Sequence, residues 1–305
     1  MARVVVTGVS SYTGACIAGV LAGRGHEVVG VCRRQPGDYQ GLATRRLSLV
    51  RTAGAELVFG LDATAFPAWA RAQRLDAWIH HHHPMEDFRS EAYEVERAEQ
   101  QVLGSIPDLM TALAAGGARH VVYSSTYFEP GEGGQAAGAK VTPYAALKAR
   151  VYAHLQAACA GLGLPLSRVV IPAPSGALEN ADRLTPQLLA AARSGRNFQL
   201  RSPDSVMDVI PGEVLAESYA GVVERGLSSG TGLVCRPSGL VTSAADWASE
   251  VDLHVARPRG WRLDLKVPAL LERAQPVRFE NPAQERVSVD WHAFFRRYAA
   301  EWDGA

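Results

Sequence analysis

The 305 residues are 47% apolar and 20% charged, and Lys plus Arg and Asp plus Glu each total 31. That profile describes a chain with a packed core and excludes a disordered one, and the zero formal charge provides nothing of the basic stripe that nucleic-acid binding requires, so no nucleic-acid partner is expected. No apolar run reaches membrane-spanning length, and Met1-Ala2-Arg3 running into Val4-Val5-Val6 is too short for a secretion signal, so a soluble cytoplasmic protein without a membrane partner is expected.

In chain order, short apolar runs alternate with helical stretches, the rhythm of a parallel sheet with crossover helices. Strands are expected at Arg3–Thr7, Glu27–Cys32, Glu56–Gly60, Ala77–His80, His120–Ser125 and Leu166–Ile171. Helices are expected at Gly14–Gly23, Leu42–Ala53, Phe66–Gln73, Glu91–Ala115 and Pro143–Ala160. Several strands are apolar almost throughout, as both-face burial demands. After Pro172, proline and glycine become frequent and the elements shorten, with further helices at Gly212–Gly226 and Trp291–Glu301. The reading is an α/β fold: a Rossmann-type doubly wound parallel sheet over residues 1–171, and a smaller mixed cap over 172–305 that is partly interleaved with it. Cys16, Cys32, Cys159 and Cys235 share no metal-site spacing and read as free thiols in a reducing compartment.

The first strand runs into Thr7-Gly8-Val9-Ser10-Ser11-Tyr12-Thr13-Gly14, and a helix and second strand follow. Strand, glycine turn and helix in that order form a phosphate cradle: Gly8 permits a tight turn, Gly14 permits close helix packing, and the helix start offers N–H groups to an anion. The segment resembles the TGxxGxxG loop of extended short-chain dehydrogenases of the epimerase/dehydratase type, with Ser11 at the middle glycine. The resemblance implies a nicotinamide dinucleotide on Gly8, Ser11, Tyr12, Thr13 and Gly14, with a hydroxyl contact from Ser11. The second strand ends in Cys32-Arg33-Arg34, where an acidic residue would bind the ribose 2′-hydroxyl. Two guanidiniums suit a 2′-phosphate instead, so NADP(H) is favoured over NAD(H). Asp62, after the third strand, takes the place of the family's adenine-binding aspartate.

Tyr144 and Lys148 have YxxxK spacing, and Thr142-Pro143 supplies an N-cap and first helical position. The pair therefore lies one turn apart on one helix face. The preceding strand ends in Ser124-Ser125-Thr126, which completes a resemblance to the Ser/Thr–Tyr–Lys constellation of the same family. A free tyrosine titrates near pH 10; an adjacent ammonium and a helix N-terminus favour its ionised form. The resemblance implies that Tyr144 exchanges a proton with a carbonyl oxygen, that Thr126 hydrogen-bonds that oxygen, and that Lys148 holds the nicotinamide ribose. It also places Ser124 and Ile171 beside the cofactor and Gln101 at the family's asparagine.

His80-His81-His82-His83 follows the fourth strand. Consecutive side chains of an extended segment alternate and cannot converge on one ion, so no metal is assigned. His81 and His82 are placed at the nicotinamide-ribose side, with a solvated loop as the alternative. Asp246-Trp247 and the Trp291–Trp302 run read as packing in the cap.

Tyr127-Phe128 occupies the places where the family's dehydratases carry an Asp-Glu pair. Ile171 stands at the asparagine of the nucleotide-sugar pattern Arg-x-x-Asn, and Met207 precedes Asp208 where those enzymes often have an arginine. Arg183, Arg196 and Arg201 are the candidates to compensate. The favoured reading is an NADPH-dependent ketoreductase for a nucleotide-linked keto sugar or a sugar-like or polyketide-type metabolite. An epimerase with retained NAD(P) and a non-catalytic NADP sensor are the alternatives. The resemblance also implies a homodimer through the helices at 91–115 and 143–160.

Overall fold

The computed structural model describes residues 1–82, 95–134, 141–270 and 275–302. His83 lies outside this range, as does the side chain of Gln101, so the expectation for Gln101 falls outside the described residues.

The first half alternates strand and helix: β1 (Arg3–Thr7), α1 (Tyr12–Gly23), β2 (Glu27–Val31), α2 (Leu42–Thr52), β3 (Glu56–Val58), α3 (Ala65–Arg71), β4 (Ala77–His80), α4 (Val95–Leu103), α5 (Ile106–Ala115), β5 (His120–Thr126), α6 (Pro143–Leu162) and β6 (Leu166–Ile171). Then come β7 (Ala173–Ser175), α7 (Leu184–Ser194), β8 (Asn197–Gln199), β9 (Val206–Pro211), α8 (Gly212–Ser229), β10 (Val234–Cys235), β11 (Leu240–Ser243), α9 (Ala244–Val251), β12 (Asp264–Lys266) and α10 (Trp291–Glu301). The large sheet has the order β10-β6-β5-β4-β1-β2-β3, and its pairings are parallel. The order reverses between β4 and β1, the switch point where such sheets open a crevice at their carboxyl ends.

Strand periodicity explains the two-sided core. Val4 and Val6 of β1 face α1 and α8, where Ile17, Leu21, Leu215 and Tyr219 pack. Val5 faces the opposite side with Trp78 of β4 and with Met110, Leu113, Leu147 and Val151 from α5 and α6. The single helix expected over 91–115 is two helices among the described residues. Pro107, in the first turn of α5, has no N–H to continue the ladder from the preceding turn, and the chain breaks at Gly104-Ser105.

The second half packs α7, α9 and α10 around Trp247, Phe294, Phe295 and Tyr298. Beside them lie a three-stranded sheet ordered β11-β9-β7 and a two-stranded β12-β8 pair. The chain also returns to the first half, because α8 covers α1 and β10 pairs with β6. Two contacts tie the halves together at the phosphate loop. The Tyr12 hydroxyl donates to Ser175 O at 2.7 Å and accepts from Gly212 N at 3.2 Å. Buried Arg46 reaches from α2 to Leu178 O at 2.9 Å, Asn180 Oδ1 at 2.8 Å and Ser10 O at 3.3 Å.

Candidate active site and cofactor cleft

The turn after β1 is built from glycines where side chains would collide. Gly8 has φ +80°, and a Cβ there would lie 3.2 Å from the backbone of His81 and His82. At Gly14 a Cβ would sit 2.2 Å from Gly8 O. Ser11 departs from the expectation placed on it. Its hydroxyl donates to Gly8 O at 2.8 Å and accepts from Gly14 N at 3.1 Å, so it is the N-cap of α1 and its proton is committed within the loop. The Tyr12 side chain is likewise committed, to β7 and α8, and Thr13 is buried. What these residues present to an anion is backbone: the first-turn N–H groups of Tyr12 and Thr13, which a helix leaves without intrahelical acceptors.

Beside this turn lies a cleft of about 360 Å³, lined by Thr7, Gly8, Arg33, Arg34, Asp62 and His82 among others. It sits at the carboxyl ends of β1, β2 and β4, on the switch point. Arg34 stacks over Tyr39 at 4.8 Å and donates its backbone N–H to the Tyr39 hydroxyl at 3.2 Å, which fixes the chain after β2. Asp62 Oδ1 accepts from Thr64 N and Ala65 N, both at 2.9 Å, and these bonds hold its carboxyl below the usual range. The glycine turn, the helix start and the flanking guanidiniums fit a dinucleotide. Gly8, Tyr12 and Thr13 would face its pyrophosphate, and Arg33 and Arg34 the adenosine end.

On the other side of the switch point, Thr142 caps α6 by accepting from Ala145 N at 3.2 Å, and Pro143 opens the helix. Leu147, Val151 and Leu155 are fully buried and pull the helix onto the sheet. This orients Tyr144, half-buried, and Lys148, 3% exposed. Lys148 Nζ donates to Ser124 O at 2.5 Å and lies 5.7 Å from the centre of the Tyr144 ring. Burial pushes the Lys148 ammonium down to about 7, partly offset by the charge of Glu129. Thr126 ends β5, buried, in register with Ile171 at the end of β6.

The histidine run divides. His80 is buried against Trp78 and Tyr123. His81 Nδ1 lies 2.8 Å from Ser124 Oγ, which also accepts from the Tyr219 hydroxyl at 2.6 Å. His82 lines the cleft. Burial lowers His81 to about 3 and His82 to about 4, so both are neutral at physiological pH. Among the described residues no group of three or more His, Cys, Asp or Glu side chains is arranged to hold a metal ion.

The structure adds a buried ionic layer under the end of β5. Glu129 accepts from Ser125 Oγ at 2.7 Å and from Thr126 N at 3.2 Å, and pairs with Arg168 at 2.6 Å. Arg168 continues to Glu132 at 3.0 Å, and Glu132 to Arg236 at 2.7 Å. An arginine in the apolar run of β6 is the one sequence signal of this layer. Of the arginines considered for a substrate phosphate, Arg183 is paired with Glu179 at 3.0 Å, Arg196 turns its Nε to Ser194, and Arg201 is exposed.

The NAD-dependent epimerase/dehydratase family model matches residues 4–210. The chain belongs to that family. A search of curated proteins finds no match. Solved structures share the fold over nearly the whole chain. A UDP-glucose 4-epimerase from Stenotrophomonas maltophila, bound to NAD and formylated UDP-arabinopyranose, superposes with TM-score 0.79 at 18% identity, covering 98% of this chain and 97% of that one. A UDP-glucose 4-epimerase from Brucella ovis with NAD gives 0.78 at 18% identity over 100% and 99%. A UDP-glucuronic acid 4-epimerase from Bacillus cereus with UDP-glucuronic acid and NAD gives 0.77 at 13% identity over 98% of each chain. Family membership makes this an oxidoreductase-type dinucleotide fold, and no helix among the described residues is long and apolar enough to cross a membrane.

Proposed function

We propose that this protein is an NADP(H)-dependent ketoreductase, with residues 1–171 carrying the cofactor and the remainder shaping the substrate side. The observation that carries the reading is Lys148, buried one helical turn below Tyr144 and tied to the strand that ends in Thr126. A bound nicotinamide supplies the hydride. The Tyr144 hydroxyl gives its proton to the substrate oxygen, and the Thr126 hydroxyl donates a hydrogen bond to the same oxygen. The Lys148 ammonium stabilises the tyrosinate left behind. Arg33 and Arg34, with no carboxylate at the end of β2, support a 2′-phosphate on the ribose. The solved neighbours that hold NAD differ on this point, and affinity measurements decide it.

Tyr144→Phe should lower NADPH-dependent carbonyl reduction by about 10²–10⁴-fold, the usual worth of a positioned proton donor, with NADPH affinity close to the parent value. Fluorescence titration of NADPH and absorbance at the nicotinamide band measure the two. Near-parental turnover would assign the proton to another group. The epimerase reading is favoured by the substrates of the neighbours. It predicts interconversion of UDP-glucose and UDP-galactose without added cofactor, and observing that would replace the ketoreductase reading.

A further inference from the structure

The two residues after Thr126 are aromatic, and they meet a third from far along the chain. Tyr127 and Phe128 have ring centres 4.5 Å apart, and Phe279 packs edge-on to Phe128 at 4.7 Å. Tyr127 is buried beneath them at 3% exposure, while Phe128 remains 37% exposed. The ledge is rigidly backed. Phe279 N donates to Val206 O at 3.1 Å on β9, Tyr127 N donates to Ile171 O at 3.1 Å, and Phe128 N lies 3.4 Å from Thr126 Oγ1. An exposed ring in a fixed cluster, two residues along the chain from Thr126, is a flat apolar face of the kind that packs against another conjugated group.

The charges around the ledge point the same way. Arg168 is closed onto Glu129 and Glu132, Arg236 onto Glu132, and Arg278 onto Glu280 at 2.8 Å. A diphosphate is held by guanidiniums or ammoniums, and each of these three already has a carboxylate partner.

We propose that the substrate is a ketone bearing a flat aryl or conjugated group beside the carbonyl, and that this group packs on Phe128 and Phe279. The proposal rests on the ketoreductase reading for its chemistry. One hydride from NADPH reaches the carbonyl carbon and one proton from Tyr144 reaches the oxygen, giving the secondary alcohol and NADP⁺, with Tyr144 reprotonated from solvent. The ring contact itself belongs to binding and is measured without turnover.

The test uses the full-length protein saturated with NADP⁺ and three probes: acetophenone, cyclohexyl methyl ketone and UDP-glucose. Calorimetric titration should show acetophenone binding about tenfold more tightly than its saturated counterpart, the scale of one aromatic pair, with UDP-glucose weaker than both. Phe128→Ala should erase the preference. Phe128→Leu, which keeps the bulk and removes the flat face, should do the same with an unchanged Tm, so loss of folding cannot imitate the result. Equal affinity for the two ketones, no binding of either, or tighter binding of UDP-glucose overturns the proposal. NADPH oxidation separates the two readings. Acetophenone that binds with the ring preference and is not reduced leaves the ledge standing and removes the reductase. Ketones reduced without ring preference do the reverse.

Discussion

At the scale of single residues, Lys148 carries the sharpest conflict between stability and function. A cation held at 3% exposure beside one backbone carbonyl is poorly solvated, and its proton is bound only below about pH 7. The unfolded chain keeps that proton up to its ordinary value of 10.5, so between pH 7 and 10.5 the unfolded state binds more protons. Stability attributable to this site therefore rises with pH across that window, and the cost is complete below pH 7. Lys148→Met should raise Tm at pH 6–7 by on the order of a few degrees, a gain that shrinks toward pH 10, while NADPH affinity and turnover both fall. Differential scanning calorimetry across that pH range, with cofactor titration of both proteins, checks it; a lower Tm at pH 6 would show that the cation is stabilising. The placement of Tyr144 and Lys148 one turn apart on α6 was legible in the sequence because one helical turn holds that spacing. Ser11 was half legible. Its size fits the turn, but only the structure shows its hydroxyl capping α1.

At the scale of elements, the end of β5 is set by charged groups drawn from distant segments. Glu129 holds Ser125 and the backbone of Thr126 while its charge favours the protonated form of Lys148. Glu129→Gln keeps an acceptor for those two donors and removes the charge. The proposed reduction uses the Lys148 ammonium, so turnover should decline as pH rises through about 7, and in Glu129→Gln that decline should move to lower pH. A pH–rate profile of both proteins measures the displacement; coincident profiles would limit Glu129 to a structural part. Residues 129, 132, 168 and 236 share no local period, which is why the sequence did not reveal this layer. The sheet was legible for the opposite reason, since Arg3–Thr7, Ala77–His80 and Leu166–Ile171 have the bounds that their apolar runs predict. The second half was less so. The helices α7 and α9 are short and small-residue-rich, and their burial depends on partners such as Trp247 and Phe295 that no spacing announces.

At the scale of the whole molecule, the glycine turn beside the candidate cofactor cleft is held by both halves of the chain through Tyr12 and Arg46. A ligand that binds only the folded state stabilises it by about 2.7 kcal/mol at a hundred times its Kd. NADPH should therefore raise Tm more than NADH at equal concentration. The double change Arg33→Ala, Arg34→Ala should bring the two shifts together, as thermal melts with each dinucleotide would show. Equal shifts in the parent protein would remove the 2′-phosphate assignment. The covering of α1 by α8 has a consequence for synthesis. Ile17, Ala18 and Leu21 emerge among the first residues, and the surface that buries them, Leu215, Ala216 and Tyr219, is made some two hundred residues later. Contacts of such long separation form slowly. Between the synthesis of β6 and the arrival of α8 and β10, the growing chain carries an uncovered apolar face on α1 and, on the far side of the sheet, an open strand edge at β6, so a fragment ending at Ile171 should aggregate in solution where the full chain does not.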